Sequence, residues 1–339
     1  METPPLVSFV TPFYNTREFL AECIESVLHQ TYQNWEYILV DNCSTDGSTE
    51  IAAQYASRSQ GRIRVIRTKS LLTQVQNYNF ALTCISPSSK YCKMVQADDW
   101  IFPDCAKSMV EIAEAHPTVG FVGAYELEGN IVSLDGLPYP SAEVLGRDVC
   151  RLYFLELWYL FGTPTSLLMR SELIRSRVPF YDESRVPFED AHACFDLLKT
   201  WNFGFVHQVL TYSRRNNESV LSRIRPFGFL LFFRFSALLV HGRNYLSQQE
   251  YGLCLKEAER RYFLFLGKAA LQGKSNDFWD FHRTALASIN YSLDCKLLGK
   301  WIFLALLDYC GNPKLTCDLL WARRNKVLAA GTAIFDDER

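Results

Sequence analysis

Trp35-Glu36-Tyr37-Ile38-Leu39-Val40-Asp41-Asn42-Cys43-Ser44-Thr45-Asp46-Gly47-Ser48 is the stretch that decides the fold. Its first six residues form an aromatic and β-branched run of the length of a buried strand. That run delivers Asp41 to the strand's carboxyl end, and the polar residues 42–48 are turn chemistry leading into a helix. The helix is predicted to reach about Ser59, with Gly61 as its stop. The same alternation continues on both sides. Upstream, Leu6–Thr11 is a short apolar strand closed by Pro12. Phe19, Leu20, Cys23, Ile24, Val27 and Leu28 then recur at helical spacing, with Asn15 and Glu18 placed as a capping pair and the end near Thr31. Downstream, Ile63–Arg67 reads as a strand and Val75, Tyr78, Leu82 and Ile85 as a third helical stripe. Tyr91–Gln96 is a fourth strand, running into Ala97-Asp98-Asp99-Trp100. This order predicts an α/β fold, a mostly parallel sheet with crossover helices.

After Phe121–Ala124 the alternation weakens, and Glu126–Pro140 has the Gly and Pro punctuation of a hairpin or extended loop. Helices are expected near Arg147–Phe161 and Glu189–Trp201, and strands at Thr165–Met169 and Phe205–Tyr212. Beyond Asn217 the pattern is helical, in long amphipathic stretches such as Gln248–Leu271. Two domains are therefore expected, residues 1–217 and a helical C-terminal region, 218–339, with the boundary near 218–226.

Of the 339 residues, 48% are hydrophobic and 21% charged. That is a globular composition. Lys and Arg number 35 against 37 Asp and Glu, for a net charge of -2. The basic excess that duplex nucleic acid demands is missing, so no nucleic-acid partner is expected. The 11 cysteines are odd in number and contain no C-x-x-C pair. This points to free thiols in a reducing, cytoplasmic setting. The N-terminus lacks the positive charge of a signal peptide. The longest apolar stretch, Phe227–Val240, is interrupted by Arg234 and is too short to span a membrane. The G-x-G-x-x-G, P-loop, H-E-x-x-H and G-x-S-x-G signatures are all missing.

In an open α/β sheet, ligands bind outside the carboxyl ends of the strands. Thr11 to Asn15, Asp41 with Asn42, and Asp98 with Asp99 occupy those ends here. Acids converging from different strand ends repel one another when partly desolvated, and a cation relieves that repulsion. A hard divalent ion such as Mg²⁺ takes one or two carboxylates together with substrate phosphates. Taken alone, each pair has a plainer explanation: Asp-Asp is usually a solvated turn, and Glu189-Asp190 opening a helix satisfies the helix dipole. His192 is a lower-ranked candidate base beside them.

In order and spacing, four blocks resemble the family 2 glycosyltransferases: Val10-Thr11-Pro12-Phe13-Tyr14-Asn15, Ser26-Val27-Leu28-His29-Gln30-Thr31-Tyr32, Val40–Ser48 and Ala97-Asp98-Asp99. The resemblance extends from the start of the chain to about Arg215. It implies a GT-A fold with helices on both faces of the sheet and a non-processive transferase using a nucleotide-sugar donor. Thr11, Pro12, Tyr14 and Asn15 would line the nucleotide pocket, with Asn42 beside them. Asp41 would contact the base and Asp98 the ribose, with Gln96 beside them. Asp99 would ligate Mg²⁺ or Mn²⁺ at the donor diphosphate. Val186-Pro187-Phe188-Glu189-Asp190 resembles the family's Glu-Asp motif, which makes Asp190 the general base and Glu189 an orienting or acceptor-side residue. Tyr212–Ser219 resembles its arginine-bearing segment, so Arg214 or Arg215 would reach phosphate. Two departures stand out. Residues 71–77 retain Asn77 but lack the arginine many relatives carry there, and the Gln-x-x-Arg-Trp motif of processive synthases is absent.

The implied activity is inverting, metal-dependent transfer of a sugar, from a UDP-sugar by the resemblance, to an acceptor hydroxyl. The implied setting is cell-surface polysaccharide or glycoconjugate synthesis on a glycan or lipid-linked acceptor. Such a protein would be cytoplasmic, with peripheral contact at the inner face of the membrane allowed. The alternative is a catalytically inactive nucleotide-sugar or glycan-binding GT-A protein acting as an assembly component. Phe227–Val240 and Lys300–Leu307 are apolar enough to dock on a partner or membrane, although such stripes more often build a core.

Overall fold

The computed structural model describes residues 3–156, 159–215 and 224–312. Strands β1 (Val7–Phe13), β2 (Trp35–Asp41), β3 (Ile63–Arg67) and β4 (Tyr91–Met94) alternate with helices α1 (Leu20–Leu28), α2 (Ser48–Arg58) and α3 (Gln74–Thr83), as the periodicity predicts. Next come β5 (Trp100–Ile101), α4 (Cys105–Ala115), β6 (Val119–Glu128), β7 (Ile131–Ser133), β8 (Glu143–Val144) and α5 (Gly146–Glu156). β9 (Leu168–Arg170), α6 (Ser171–Ser176), α7 (Glu189–Leu197) and β10 (Asn202–Ser213) complete the sheet-bearing part. Helices at Phe229–Ala237, Gln248–Leu271, Asn276–Ser288 and Cys295–Gly311 follow.

One sheet runs β3-β2-β1-β4-β9-β6-β10-β5, with β7 added to β6 and β8 to β10. β1 is parallel to β2 and β4, β2 to β3, and β6 to β10. β9 enters antiparallel between β4 and β6, and this reversal brings the turn before it to the carboxyl end of β4. Val7, Phe9, Phe13, Tyr37 and Leu39 share a core with Leu20, Ile24 and Val27 of α1 and with Met109 and Val110 of α4. The period of two in β1 and β2 turns Val10, Ile38 and Val40 away from that core. α3 packs on β1 and β2 without joining the cluster.

Several local expectations change. α1 begins at Leu20 with no side-chain cap, because the Asn15 carboxamide instead accepts from the Thr45 amide at 2.8 Å. α3 carries the capping box, Thr73 with Gln76. The strand expected at Thr165–Met169 is a single 3-10 turn, Pro164–Ser166, followed by β9.

The chain divides into two compact units. One comprises Met1–Pro226 with Ala237–Cys254, the other Phe227–Ser236 with Leu255–Arg339. The boundary expected after residue 217 lies outside the described residues, and residues 237–254, expected in the helical region, belong to the sheet-bearing unit. Among the described residues the ten cysteines are free. No helix there is long and apolar enough to cross a membrane.

Candidate active site

The carboxyl ends of β1 and β2 form a polar corner. Asp41 is fully buried; one of its carboxylate oxygens accepts from the Ser44 amide at 2.8 Å, the other from the Thr49 hydroxyl at 2.8 Å. Asn42 pairs with the backbone of Leu72, accepting from its amide at 2.9 Å and donating to its carbonyl at 2.9 Å. The 67–73 segment is thereby clasped to the end of β2. Thr11 spends its hydroxyl inside the core, donating to the Val95 carbonyl at 2.8 Å beside Tyr37, so only its backbone is left to line a pocket. Pro12 is buried next to it, whereas Tyr14 and Asn15 lie, both exposed, on the loop that follows.

The loop after β4 carries the two adjacent acids. Asp98 is half-buried and Asp99 only 5% exposed. Asp99 is held from two directions: Thr165 donates to Oδ2 at 2.7 Å, and the Arg214 amide donates to Oδ1 at 3.0 Å. Burial, reinforced by the charge of Asp98, raises its carboxyl well above the usual range. The Arg214 side chain donates to the Asp98 carbonyl at 3.0 Å, reaches Glu22 of α1 and lies over the Phe19 ring. Arg215 instead pairs with Glu128 of β6 at 2.8 Å.

Behind Asp99 lies a polar layer that sequence reasoning missed. Lys93, wholly buried on β4, donates to the Thr165 carbonyl. Glu126, 3% exposed on β6, accepts from Ser166 at 2.9 Å and from Ser213, whose hydroxyl also lies 3.5 Å from Asp99. Burial lowers the Lys93 ammonium and raises the Glu126 carboxyl. A lysine inside an otherwise apolar strand run was the one available signal.

Glu189 and Asp190 open α7. The Asp190 carboxylate accepts from the Ala191 amide at 2.7 Å, and burial pushes its carboxyl up to about 6. Burial and the Asp190 charge raise Glu189 as well. Asp190 borders a small cavity with Phe161, Thr163, Pro164, Phe180 and Tyr181. The turn at 163–166 therefore holds Asp99 on one side and walls the Asp190 cavity on the other. His192 turns elsewhere: its Nδ1 lies 2.7 Å from His241 and 3.2 Å from Arg185. Asn77 is buried on α3, and the Gln96 amide donates to the Thr165 hydroxyl oxygen at 3.1 Å.

Among the described residues no three His, Cys, Asp or Glu side chains gather as a ready-made metal cage. Asp98 and Asp99 nonetheless suit a hard cation. Each carboxylate oxygen has two lone pairs, the hydrogen bonds at Asp99 leave acceptor capacity free, and such ions complete their shell with substrate phosphates and water.

The model of the family described as Glycosyl transferase family 2 matches residues 8–175, from β1 to α6. The chain is 30% identical over 229 residues to Glycosyltransferase GlyG of Streptococcus pneumoniae serotype 4, covering 64% of this chain and 73% of that protein. To a putative teichuronic acid biosynthesis glycosyltransferase of Bacillus subtilis it is 32% identical over 135 residues, 40% of this chain and 50% of that one. The chain spans between 50% and 59% of the length of several curated relatives that it matches. Among solved structures, Staphylococcus aureus TarS 1-349 in complex with UDP has a TM-score of 0.58 at 18% identity, covering 84% of this chain and 79% of that one. At that identity the likeness is one of fold. The match to GlyG over most of its length, together with the family model, establishes that the chain belongs to glycosyl transferase family 2 and has a GT-A-like fold.

Proposed function

We propose that the protein is an inverting, non-processive glycosyltransferase that moves one sugar from a nucleotide-sugar donor to an acceptor hydroxyl. The observation that carries this is the 163–166 turn: Thr165 bonds the buried Asp99, and Thr163 and Pro164 line the small cavity that Asp190 borders, so one short segment touches both acidic positions. The nucleoside would lie along the loops after β1 and β2, against Tyr14, Asn15 and the Asp41–Asn42 corner. The diphosphate would lie at Asp98 and Asp99, with Arg214 fixing that loop. Asp190 would accept the proton of the acceptor hydroxyl as its oxygen attacks the anomeric carbon from the face opposite the departing diphosphate. A carboxyl that ionises at about 6 is a competent base near neutral pH. Asp99, with Asp98 beside it, would hold Mg²⁺ or Mn²⁺. Such a cation supplies positive charge to the departing diphosphate.

UDP as the donor nucleotide agrees with TarS, which was solved with UDP. A cell-surface polysaccharide or glycoconjugate as product agrees with the teichuronic acid relative. A glycan or lipid-linked acceptor follows from that product class, at a cytoplasmic site with peripheral contact at the inner membrane face. The test is thermal shift with UDP-, GDP- and dTDP-sugars, with and without Mn²⁺. Ligand at a hundredfold excess over its Kd stabilises the native state by about 2.7 kcal/mol. A metal-dependent shift with one nucleotide class is expected. No shift with any donor, with or without metal, refutes the reading.

A further inference from the structure

The helix Cys295–Gly311 is apolar on two opposite faces, and only one of them is used in packing. Trp301 and Ala305 are its buried residues. The Trp301 ring stacks with Phe263 at 6.1 Å, and the backbones come so close that a Cβ on Gly267 would lie 2.3 Å from the Trp301 carbonyl oxygen. With successive side chains turned by about 100°, position 303 points directly away from the midpoint of that buried pair. Lys296, Lys300, Leu306, Leu307 and Cys310 all fall within about 60° of position 303 on one side or the other, and all are exposed. Phe303 itself is 60% exposed, Leu306 45% and Leu307 52%. The stripe expected to dock or to build a core therefore does both, through opposite faces.

The outward arc contains no Asp or Glu. Its two lysines have no carboxylate partner among the described residues, and the Lys300 ammonium lies 5.2 Å from the Trp301 ring centre. Charge thus gathers in the first half of the arc and large apolar side chains in the second. A second copy of the chain is a poor match. Three side chains about half exposed offer on the order of 300 Å², against the ~800 Å² per partner that a stable protein interface buries. A bilayer demands no complementary shape: apolar side chains enter at shallow depth while lysines reach acidic headgroups. We propose that this face of the Cys295–Gly311 helix docks on an anionic lipid bilayer, with Phe303, Leu306 and Leu307 inserted and Lys296 and Lys300 at the lipid phosphates. The inference rests on the membrane contact in the functional reading above and names the surface that makes it.

The experiment is flotation of the full chain with vesicles of phosphatidylcholine alone and of equal parts phosphatidylcholine and phosphatidylglycerol. Wild type is expected to bind the mixed vesicles, more weakly as salt rises, and to leave the neutral ones largely unbound. Lys296→Gln with Lys300→Gln should weaken that binding about 25-fold, about fivefold for each lysine. Phe303→Gln with Leu307→Gln should weaken it at least about tenfold. Both variants should keep the wild-type thermal shift with sugar nucleotides. Wild type that stays off the mixed vesicles, or binds the neutral ones equally well, overturns the inference. So does undiminished binding by either double variant, and if the Phe303 and Leu307 pair does not fold, the lysine pair decides. Wild type that sediments as a dimer, stays off vesicles and dissociates on Phe303→Gln overturns it in favour of a second copy. Wild type that binds mixed vesicles through this face but shows no shift with any sugar nucleotide refutes the enzymatic reading and leaves the docking surface standing.

Discussion

Asp190→Asn separates catalysis from stability in a way that the site geometry makes quantitative. In the folded chain burial shifts the Asp190 ionisation from 3.8 to about 6. A carboxyl whose folded value is raised binds its proton more tightly in the native state. Its contribution to stability is therefore intact below about pH 4 and is lost as pH rises through about 6. Above both values, holding the carboxylate ionised costs about 3 kcal/mol, at about 1.36 kcal/mol per tenfold change in proton affinity. Residual solvent contact brings the figure to about 2 kcal/mol. Asparagine keeps an oxygen for the Ala191 amide and carries no charge. The variant should thus match wild type at pH 4 and exceed it by about 2 kcal/mol at pH 8, a gain in Tm of about 4–8 °C for a unit of this size. Relief of the repulsion on Glu189 acts in the same direction. Sugar transfer should fall by about 10²–10⁴ because the base is gone. Urea melts at both pH values, paired with a donor-consumption assay, make the comparison. An Asp190→Asn variant that is less stable than wild type at pH 8, or whose stability difference does not change between pH 4 and 8, refutes the account of Asp190 as a desolvated carboxylate. Undiminished transfer refutes its role as base.

Asp99→Ala should bind the nucleotide-sugar donor at least about 10²-fold more weakly, and chelation of divalent ions should do the same to wild type until Mn²⁺ or Mg²⁺ is returned; donor affinity indifferent to chelation refutes the cation assignment. Lys93→Met should cost about 3 kcal/mol, because it strips the buried cation from a layer holding Glu126 and Asp99, and adding Glu126→Gln should restore a large part of that. Strictly additive losses in urea melts would show that the two do not act as a pair. Asn42→Ala removes both hydrogen bonds to Leu72 and should cost about 2 kcal/mol. Hydrogen exchange at the Leu72 amide should quicken in that variant, and an unchanged rate would mean the clasp is not what holds 67–73.

Much of the architecture was legible because its first half obeys local rules. β1 to β4 are short apolar runs, and their register follows from the period of two, so Asp41 and the Asp98–Asp99 pair were placed at strand ends correctly. Gln248–Leu271 is a helix over the span its amphipathic pattern predicts. What escaped notice depends on contacts between residues distant in sequence. β5 is two residues long and exists because Tyr212 and Thr211 pair with it. Helix α4 is the exception, since Ala106, Met109, Val110 and Ala113 recur at helical spacing and signal it locally. Asn15 looked like a cap, but its carboxamide is drawn to Thr45, far along the chain. The same holds for the candidate site. Acidic residues next to one another in the chain were visible, whereas Lys93, Glu126, Thr165 and Ser213 acquire meaning only when β9 inserts antiparallel and brings its turn against β4. Thr11 marks the opposite error, since its place at a strand end suggested a ligand contact and its hydroxyl is consumed by the Val95 carbonyl.

The sheet-bearing unit is not a continuous length of chain. After Pro226 the polypeptide leaves it and returns with Ala237–Cys254. The returning piece supplies His241 beside His192, Tyr245 donating to the Phe195 carbonyl, and Glu250 paired with Arg151. The Phe195 ring stacks with Phe154 and meets His241 at 5.1 Å. Terminating translation at residue 226 would therefore amputate one wall of the unit and leave a cluster of aromatic rings open to water. Recombination between relatives faces the same geometry. A crossover at the apparent junction would separate α7, which bears Asp190, from the segment that braces its far side, so the two must be inherited together.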